Sequence, residues 1–350
     1  MNSIKFFMAA VATAIGMSAT AADKTAEGLS YFLPKTAVRV SVLVERKTTQ
    51  PGQLADFSEL YFKKAAQPTT VTDYRIVGIR FASEGLPDSG RQFTVAIDKK
   101  HSVLSVDCDA NGVLLAINDK APHTAEPQAF KPAPKQEPLN PRDFMSQDIL
   151  AAGNLPKMAQ LVAQEIYDIR DSRNQLSRGE ADNMPKDGEQ LRLMYAQLDT
   201  QERALMQLFQ GTTTVDTTET VVTFVPTKET KRQTVFRFSK KFGLLTPDDF
   251  SGEPFYVDVD DLGTMPDAPE TPEAAKKEKD DFQLGVVLPG KIRLTLTDGQ
   301  NTKSVYETYA AQFGRVEMLS GALFGKKFTS KIQLDPTNGG IVELKTEPLE

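Results

Sequence analysis

The chain has 350 residues, 40% hydrophobic and 25% charged, which is globular composition and more than one hydrophobic core usually serves. A formal net charge of -6 supplies no concentrated basic face and argues against a nucleic-acid partner. The one cysteine, Cys108, excludes an intramolecular disulfide, so burial alone must hold the cores.

Met1-Asn-Ser-Ile-Lys5 is a short basic opening, and Phe6 to Met17 is an apolar run relieved only by small residues. Ser18-Ala19-Thr20-Ala21 then offers a small-x-small cleavage site before Ala22. Residues 1–21 therefore read as a secretory signal peptide, with an apolar stretch too short to span a bilayer permanently. Its removal takes one Lys and no acid, which moves the formal charge from -6 to -7. Beyond it no apolar run approaches the ~20 residues of a membrane span. Cys108 lies far from the cleavage point and cannot carry a lipid anchor. The expected address is periplasmic or secreted.

Val38, Val40, Val42 and Val44 alternate with Arg39, Ser41, Leu43 and Glu45, the period-two pattern of a strand. Pro51-Gly52 breaks it, and Leu54, Phe57, Leu60 and Tyr61 predict a short amphipathic helix ending near Lys64. Strands are predicted at 74–81, 92–97, 102–106 and 112–117, completing a β-rich unit over 22–118 with one helix. Residues 119–145 change character: Pro122, Pro127, Pro132, Pro134, Pro138 and Pro141 crowd among Lys, Glu and Gln, as in an extended, solvated linker.

A helical hairpin follows over 146–211. Leu155, Met158, Val162, Ile166, Ile169 and Leu176 share one face from Asn154 to Arg178, and Gly179 supplies a left-handed stop. Asp187-Gly-Glu-Gln190 is a capping arrangement for a second helix, striped by Leu191, Met194, Leu198, Leu205 and Phe209 and ended by Gly211. Such stripes usually close on each other or on a sheet, and Asp168, Arg170, Asp171 and Arg173 read as a solvated face. Over 212–350 strands return, at 218–225, 233–239, 255–259, 285–287, 291–297, 303–309, 316–319, 329–334 and 340–345. Within this C-terminal antiparallel β domain, the Pro-, acid- and Lys-rich stretch 260–281 reads as a flexible insertion.

Leu33-Pro-Lys-Thr-Ala-Val-Arg-Val-Ser-Val is echoed by Leu288-Pro-Gly-Lys-Ile-Arg-Leu-Thr-Leu-Thr, and each β unit closes on an Asn-Gly hairpin, at Asn111-Gly112 and Asn338-Gly339. Two related units would produce this echo, and so would shared strand-and-turn composition.

The motif inventory is thin. Asp107-Cys-Asp109-Ala-Asn111-Gly112 matches the first half of a calcium loop, so Asp107, Asp109 and Asn111 form a candidate cation turn. The bidentate acid position falls on Asn118 and the flanks read as strands, which favours a β-turn capped by these side chains. His101 and His123 are the only histidines, and neither has a second His or Cys at zinc-ligand spacing. No Gly-x-Ser-x-Gly elbow and no Gly-rich phosphate loop occurs. Cys108 reads as a small packed side chain. No catalytic, cofactor-binding or metal residue is assigned, and no cofactor is expected. Two carboxylates could do acid–base work without a signature, but 47 acidic residues give too many pairs to choose from.

Three stretches taken together resemble a known family. They are Leu33-Pro-Lys-Thr-Ala-Val-Arg-Val; Glu165-Ile-Tyr-Asp-Ile-Arg170 with Gly179-Glu-Ala-Asp182 and Pro185-Lys-Asp-Gly188; and Ala311-Gln-Phe-Gly-Arg315. They resemble the secreted Bacteroidetes family called domain of unknown function 4831, over nearly the whole mature chain. The turn between the helices is the most specific part, and 260–281 departs from the pattern. The resemblance implies an envelope address and a two-part β organisation, and it transfers no site residues.

The expected class is α+β, two β-rich units bracketing an antiparallel helical hairpin. The expected function is a non-catalytic binding or scaffolding protein of the bacterial cell envelope, with a protein or glycan partner and no nucleic acid, membrane span or lipid anchor. The alternatives are a metal-independent hydrolase of envelope polymers using paired carboxylates, and a subunit of an adhesive or fibre assembly.

Overall fold

The valine alternation does form a strand, but one longer than the alternation itself, because the partners opposite it are long. A computed structural model describes residues 28–96, 101–121, 130–134, 138–182, 184, 187–266, 284–325 and 327–348. The expected signal peptide and most of the 260–281 insertion lie outside these. In it β1 (Gly28–Gln50) pairs antiparallel with β2 (Val71–Ala96) on one side and with β5 (Thr212–Phe224) on the other. A five-stranded antiparallel sheet is formed by β6 (Thr230–Ser239), β7 (Gly243–Leu245), β8 (Glu253–Asp261), β9 (Leu284–Thr297) and β10 (Thr302–Leu319), in the order β10-β9-β8-β6-β7. A third sheet, in the order β12-β11-β4-β3, joins β3 (Val106–Cys108) and β4 (Leu114–Ile117) to β11 (Phe328–Leu334) and β12 (Ile341–Pro348).

Two β cores result. In one, Val38, Val40, Val42 and Val44 pack on Phe236, Phe255, Val257, Ile292, Leu294 and Leu296. In the other, Tyr31, Leu33 and Val95 meet Leu284, Val286 and Val287 together with Leu114, Ile117, Phe324, Ile332 and Leu334. Each core draws on both β-rich stretches of the chain, and β1 and β9 each run through both. They cross at Leu33-Pro34 and Leu288-Pro289, the positions of the sequence echo. Proline gives no N–H to a ladder, and register slips at both crossings, between Phe32 and Pro34 in one hairpin and between Ala310 and Arg315 in the other.

Several strands predicted as separate are continuous. The segments 74–81 and 92–97 fuse into β2 through Gly85, Pro87 and Gly90, and residue 97 falls outside the described chain. β9 likewise joins 285–287 to 291–297, and β10 joins 303–309 to 316–319. Breaker residues do not end these strands because β1 opposite β2, and β9 opposite β10, keep the ladder going past the slip. The predicted strand at 102–106 is instead mostly loop, with β3 starting at Val106, and β7 had no strand pattern to announce it.

The helical pair sits between the β-rich stretches in the chain, as the patterns predict. α1 (Ser58–Phe62) follows a 3-10 turn at Ala55–Phe57, and α2 (Gln147–Leu150) follows one at Pro141–Phe144. α3 (Leu155–Arg178) is capped by Asn154, whose side chain accepts from the Lys157 N–H, and ends at Gly179. α4 (Gly188–Gln210) is capped by Asp187, which accepts from the Gln190 N–H. Their shared core includes Leu54, Ile149, Val162, Ile166, Leu205 and Phe209, and Phe144 and Met145, at the end of the expected linker, pack against it. Arg170 and Arg173 do not merely face solvent: both bridge to α4, at Glu202 (2.7 and 2.8 Å), and Arg173 also reaches Asp199. At the base of the hairpin the Leu54 N–H donates to the Leu208 carbonyl (2.7 Å), and a Cβ on Gly211 would lie 1.9 Å from the Gln50 carbonyl oxygen, so helix end and strand end are locked together.

The β9–β10 crossing imposes the same demand. A Cβ on Gly314 would sit 1.9 Å from the Leu288 carbonyl oxygen, whereas one on Gly153 would meet nothing within 4 Å. Gly314→Ala should therefore cost more than about 2 kcal/mol, while Gly153→Ala stays within about 0.5 kcal/mol of the parent. Urea unfolding of the two variants side by side checks this, and equal midpoints would contradict the close-packed crossing.

Candidate functional site

Where the hairpins cross, ladder bonds are lost in the protein interior, and buried backbone groups need other partners. Thr36 and Gln312 supply them. Thr36 is fully buried; its Oγ1 accepts from the Ala311 N–H (3.0 Å) and donates to the Thr337 carbonyl (2.9 Å). The Thr36 N–H donates to Gln312 Oε1 (2.9 Å), while Gln312 Nε2 donates to the carbonyls of Thr36 and Pro226, each at 2.7 Å. This knot seats the turn at Asp335–Gly340 against Pro34 and Pro289. It is polar and contains no ionisable side chain.

Beside the knot lies a groove of about 360 Å³. Leu288 and Pro289 form its floor, Tyr309 and Leu319 of β10 one wall, and Ile341 and Val342 of β12 the other. Tyr309, Ile341 and Val342 are exposed. Two acids also line it, and both are engaged: Asp335 Oδ1 accepts from the Thr337 N–H (2.7 Å) and hydroxyl (2.6 Å), and Glu317 pairs with Arg315 (2.6 Å). Other hollows are more polar than this groove: one on the helical hairpin where Ser172, Gln175, Gln197 and Gln201 sit beside Leu176, Met194 and Leu198, one among Arg173, Asp199, Glu202 and Arg203, and one where Pro132 and Pro134 lie along Thr213–Thr217 of β5. The apolar groove with exposed walls is the surface best built to take a ligand.

The residues singled out in the sequence lie elsewhere. Asp109 Oδ1 accepts from the Asn111 and Val113 N–H groups (2.8 and 2.9 Å), and Asp107 Oδ2 accepts from the Ala121 N–H (2.9 Å). Asn118 is turned inward, where its Oδ1 accepts from Leu104 N–H (2.6 Å) and its Nδ2 donates to the Ser102 carbonyl (2.8 Å). Asp109 thus caps the turn between two strands with its Oδ1 spent on backbone, Asn111 enters through its N–H, and Asp107 reaches Ala121 beyond β4. Burial, and then the neighbouring Asp107 and Asp109, push the Cys108 thiol up, which disfavours the thiolate. His101 is among the described residues and His123 outside them. Among the described residues no three His, Cys, Asp or Glu side chains gather as a metal cluster.

Thr36, Gln312, Tyr309 and Val342 carried no motif of their own. Thr36 and Gln312 fall inside two of the stretches that carry the family resemblance, and that is the signal that could have found them.

Among the described residues, every carboxylate displaced from its ordinary range is displaced downward. Arg75 lowers Glu45, the Lys120 N–H lowers Asp119, Ser251 lowers Asp249, and Lys291 with Arg293 lowers Glu307. Asp298, at the β9–β10 turn, is brought to about 2 by Lys303 and then by the Asn301 and Gln300 N–H groups. A general acid needs the opposite displacement. A folded-state value below the ordinary 3.8 means that Asp298 stabilises fully above that pH and loses its contribution as pH falls towards 2. Asp298→Asn should flatten the pH dependence of the melting temperature between about pH 2 and 4. Melts that fall as steeply as the parent's across that window would refute the assignment.

No helix among the described residues is long and apolar enough to cross a membrane. No curated protein and no solved structure matches the chain. Residues 27–342 match the family model described as a domain of unknown function, DUF4831. That span includes the knot, the groove walls and the helical hairpin, and the chain therefore belongs to this family.

Proposed function

We propose that the chain is a non-catalytic binding protein of the bacterial cell envelope and that the groove beside the knot holds its partner. The observation that carries this reading is the pairing of an exposed apolar lining with acids already engaged by Thr337 and Arg315. Such a surface desolvates well and has its polar groups committed to holding shape. A protein segment presenting aliphatic side chains suits it better than a glycan, whose hydroxyls call for convergent free polar groups. Residues 1–21, with the composition of a signal peptide, support the envelope address. The downward-displaced carboxylates lend no support to a paired-acid hydrolase.

Val342 is 65% exposed, so Val342→Asp should leave stability within about 0.5 kcal/mol while placing a charge on the groove wall. Immobilised protein offered soluble envelope extract should retain a partner that the variant holds at least about tenfold more weakly. Equal retention by both would remove the groove from the account. In the native host, the mature N-terminus should be Ala22 in the envelope fraction; an intact leader on cytoplasmic protein would sink the address.

A further inference from the structure

Among the described residues the last strand of the third sheet is left open. β12 pairs with β11 on one side only, and all of its residues except Glu343 are exposed. Its inner face overhangs the core: Leu344 stands opposite Ile332 in register, yet Ile332 is wholly buried and Leu344 is 45% exposed. The outer face is charged, with Lys345 paired to Glu343 along its own strand (2.6 Å) and Lys331 paired to Glu347 (2.7 Å). Lys345 stands opposite Lys331, while Glu343 stands opposite the neutral Gln333. An open edge of this length is a template for another strand.

We propose that β12 is a homodimer interface, two copies joining by antiparallel β12–β12 pairing about a twofold axis through Leu344. In a continuous sheet, directly opposite residues share a face, so the axis must pass through a residue of the strand. With Leu344 opposite Leu344, each Glu343 faces Lys345 of the second copy, and the two overhanging leucines cover one another. Lys345, with Lys331 on one side and Glu343 of its own strand beside it, gains a second carboxylate across the axis. The neighbouring registers are repulsive. An axis through Glu343 sets Glu343 against itself, and an axis through Lys345 sets Lys345 against itself and Glu343 against Glu347. Like charges directly opposite are destabilising. Of these three registers only the one at Leu344 satisfies both faces, and because it uses the same patch on each copy it closes at two. This interface does not depend on the groove's having a ligand.

Sedimentation velocity of the full mature chain, from about 5 µM upward, should show a reversible monomer–dimer equilibrium in the range of about 10–100 µM, as befits a short strand pair. Glu343→Lys and Lys345→Glu should each weaken the dimer about tenfold, since each sets like charges across the axis. The double variant Glu343→Lys/Lys345→Glu restores opposite charges and should return to within about threefold of the parent. These side chains are solvent-facing, and circular dichroism and melting curves should overlay for all four proteins. A chain that stays monomeric to about 0.5 mM overturns the proposal. So do association that ignores the single substitutions, a double variant no better than the singles, or growth beyond dimers.

Discussion

The hydroxyl of Thr36, buried between the two β cores, is the contact on which the rest of the β structure turns. β1 and β9 each cross from one core to the other, and each does so at a Leu-Pro step where the ladder slips. A slipped ladder at the surface would be repaired by water. Here the slip is inside, and each buried backbone group left unpaired costs roughly 1–3 kcal/mol. Thr36 and Gln312 together answer for the Ala311 N–H, both backbone groups of Thr36, and the carbonyls of Thr337 and Pro226. A hydroxyl and an amide can each donate and accept without titrating, so the crossing holds its geometry across pH with no buried charge to desolvate.

That crossing also explains which parts of the sequence could be read. Both long helices are legible to the residue, because their boundaries are written locally in Asn154, Gly179, Asp187 and Gly211. The valines of β1 are legible for the same reason, as is the capped turn at Asp109. The length of the strands is not. Gly85, Pro87 and Pro289 are local signals to stop, overruled by a partner strand that continues opposite them. The pairings β1 with β5 and β4 with β11 join residues far apart in the chain, so no window shows them. The groove suffers most: Tyr309 and Val342 are ordinary residues of two different strands, and they become walls only once the 335–340 turn is pinned against Pro34 and Pro289.

The same pinning makes the groove suited to recognition. Its floor is strand, its rim is a turn held by Asp335's bonds to Thr337, and behind it stands the Thr36 knot. A partner of the kind proposed would therefore meet a surface that is already in shape and pay little ordering entropy on binding. The helical hairpin is fixed differently, by the packed junction of Gly52, Leu54 and Gly211 with the strand ends, and by Arg170 and Arg173 holding α3 to α4. One end of the chain's architecture is rigid through backbone fit, the other through side-chain bridges.

Edges show how differently the strands are finished. β3 and β7 are only three residues long. β5 has the proline-bearing segment at 132–134 beside it, with the Phe130 N–H donating to Glu219 (3.3 Å). β2 carries Pro87 at its slip, where it faces Pro34. Short length, covering and proline are the usual means of blunting an edge. Among the described residues β12 has none of them along its central stretch: its proline comes last, at Pro348, and its lysine is neutralised by Glu343 two residues away (2.6 Å). A chain that blunts the edges at β2, β3, β5 and β7 by these means and leaves this one apolar on one face and charge-alternating on the other has the pattern of a strand meant to be met. The alternation Glu343-Leu344-Lys345 is also what selects the partner, since it matches itself in one register and repels itself in the next.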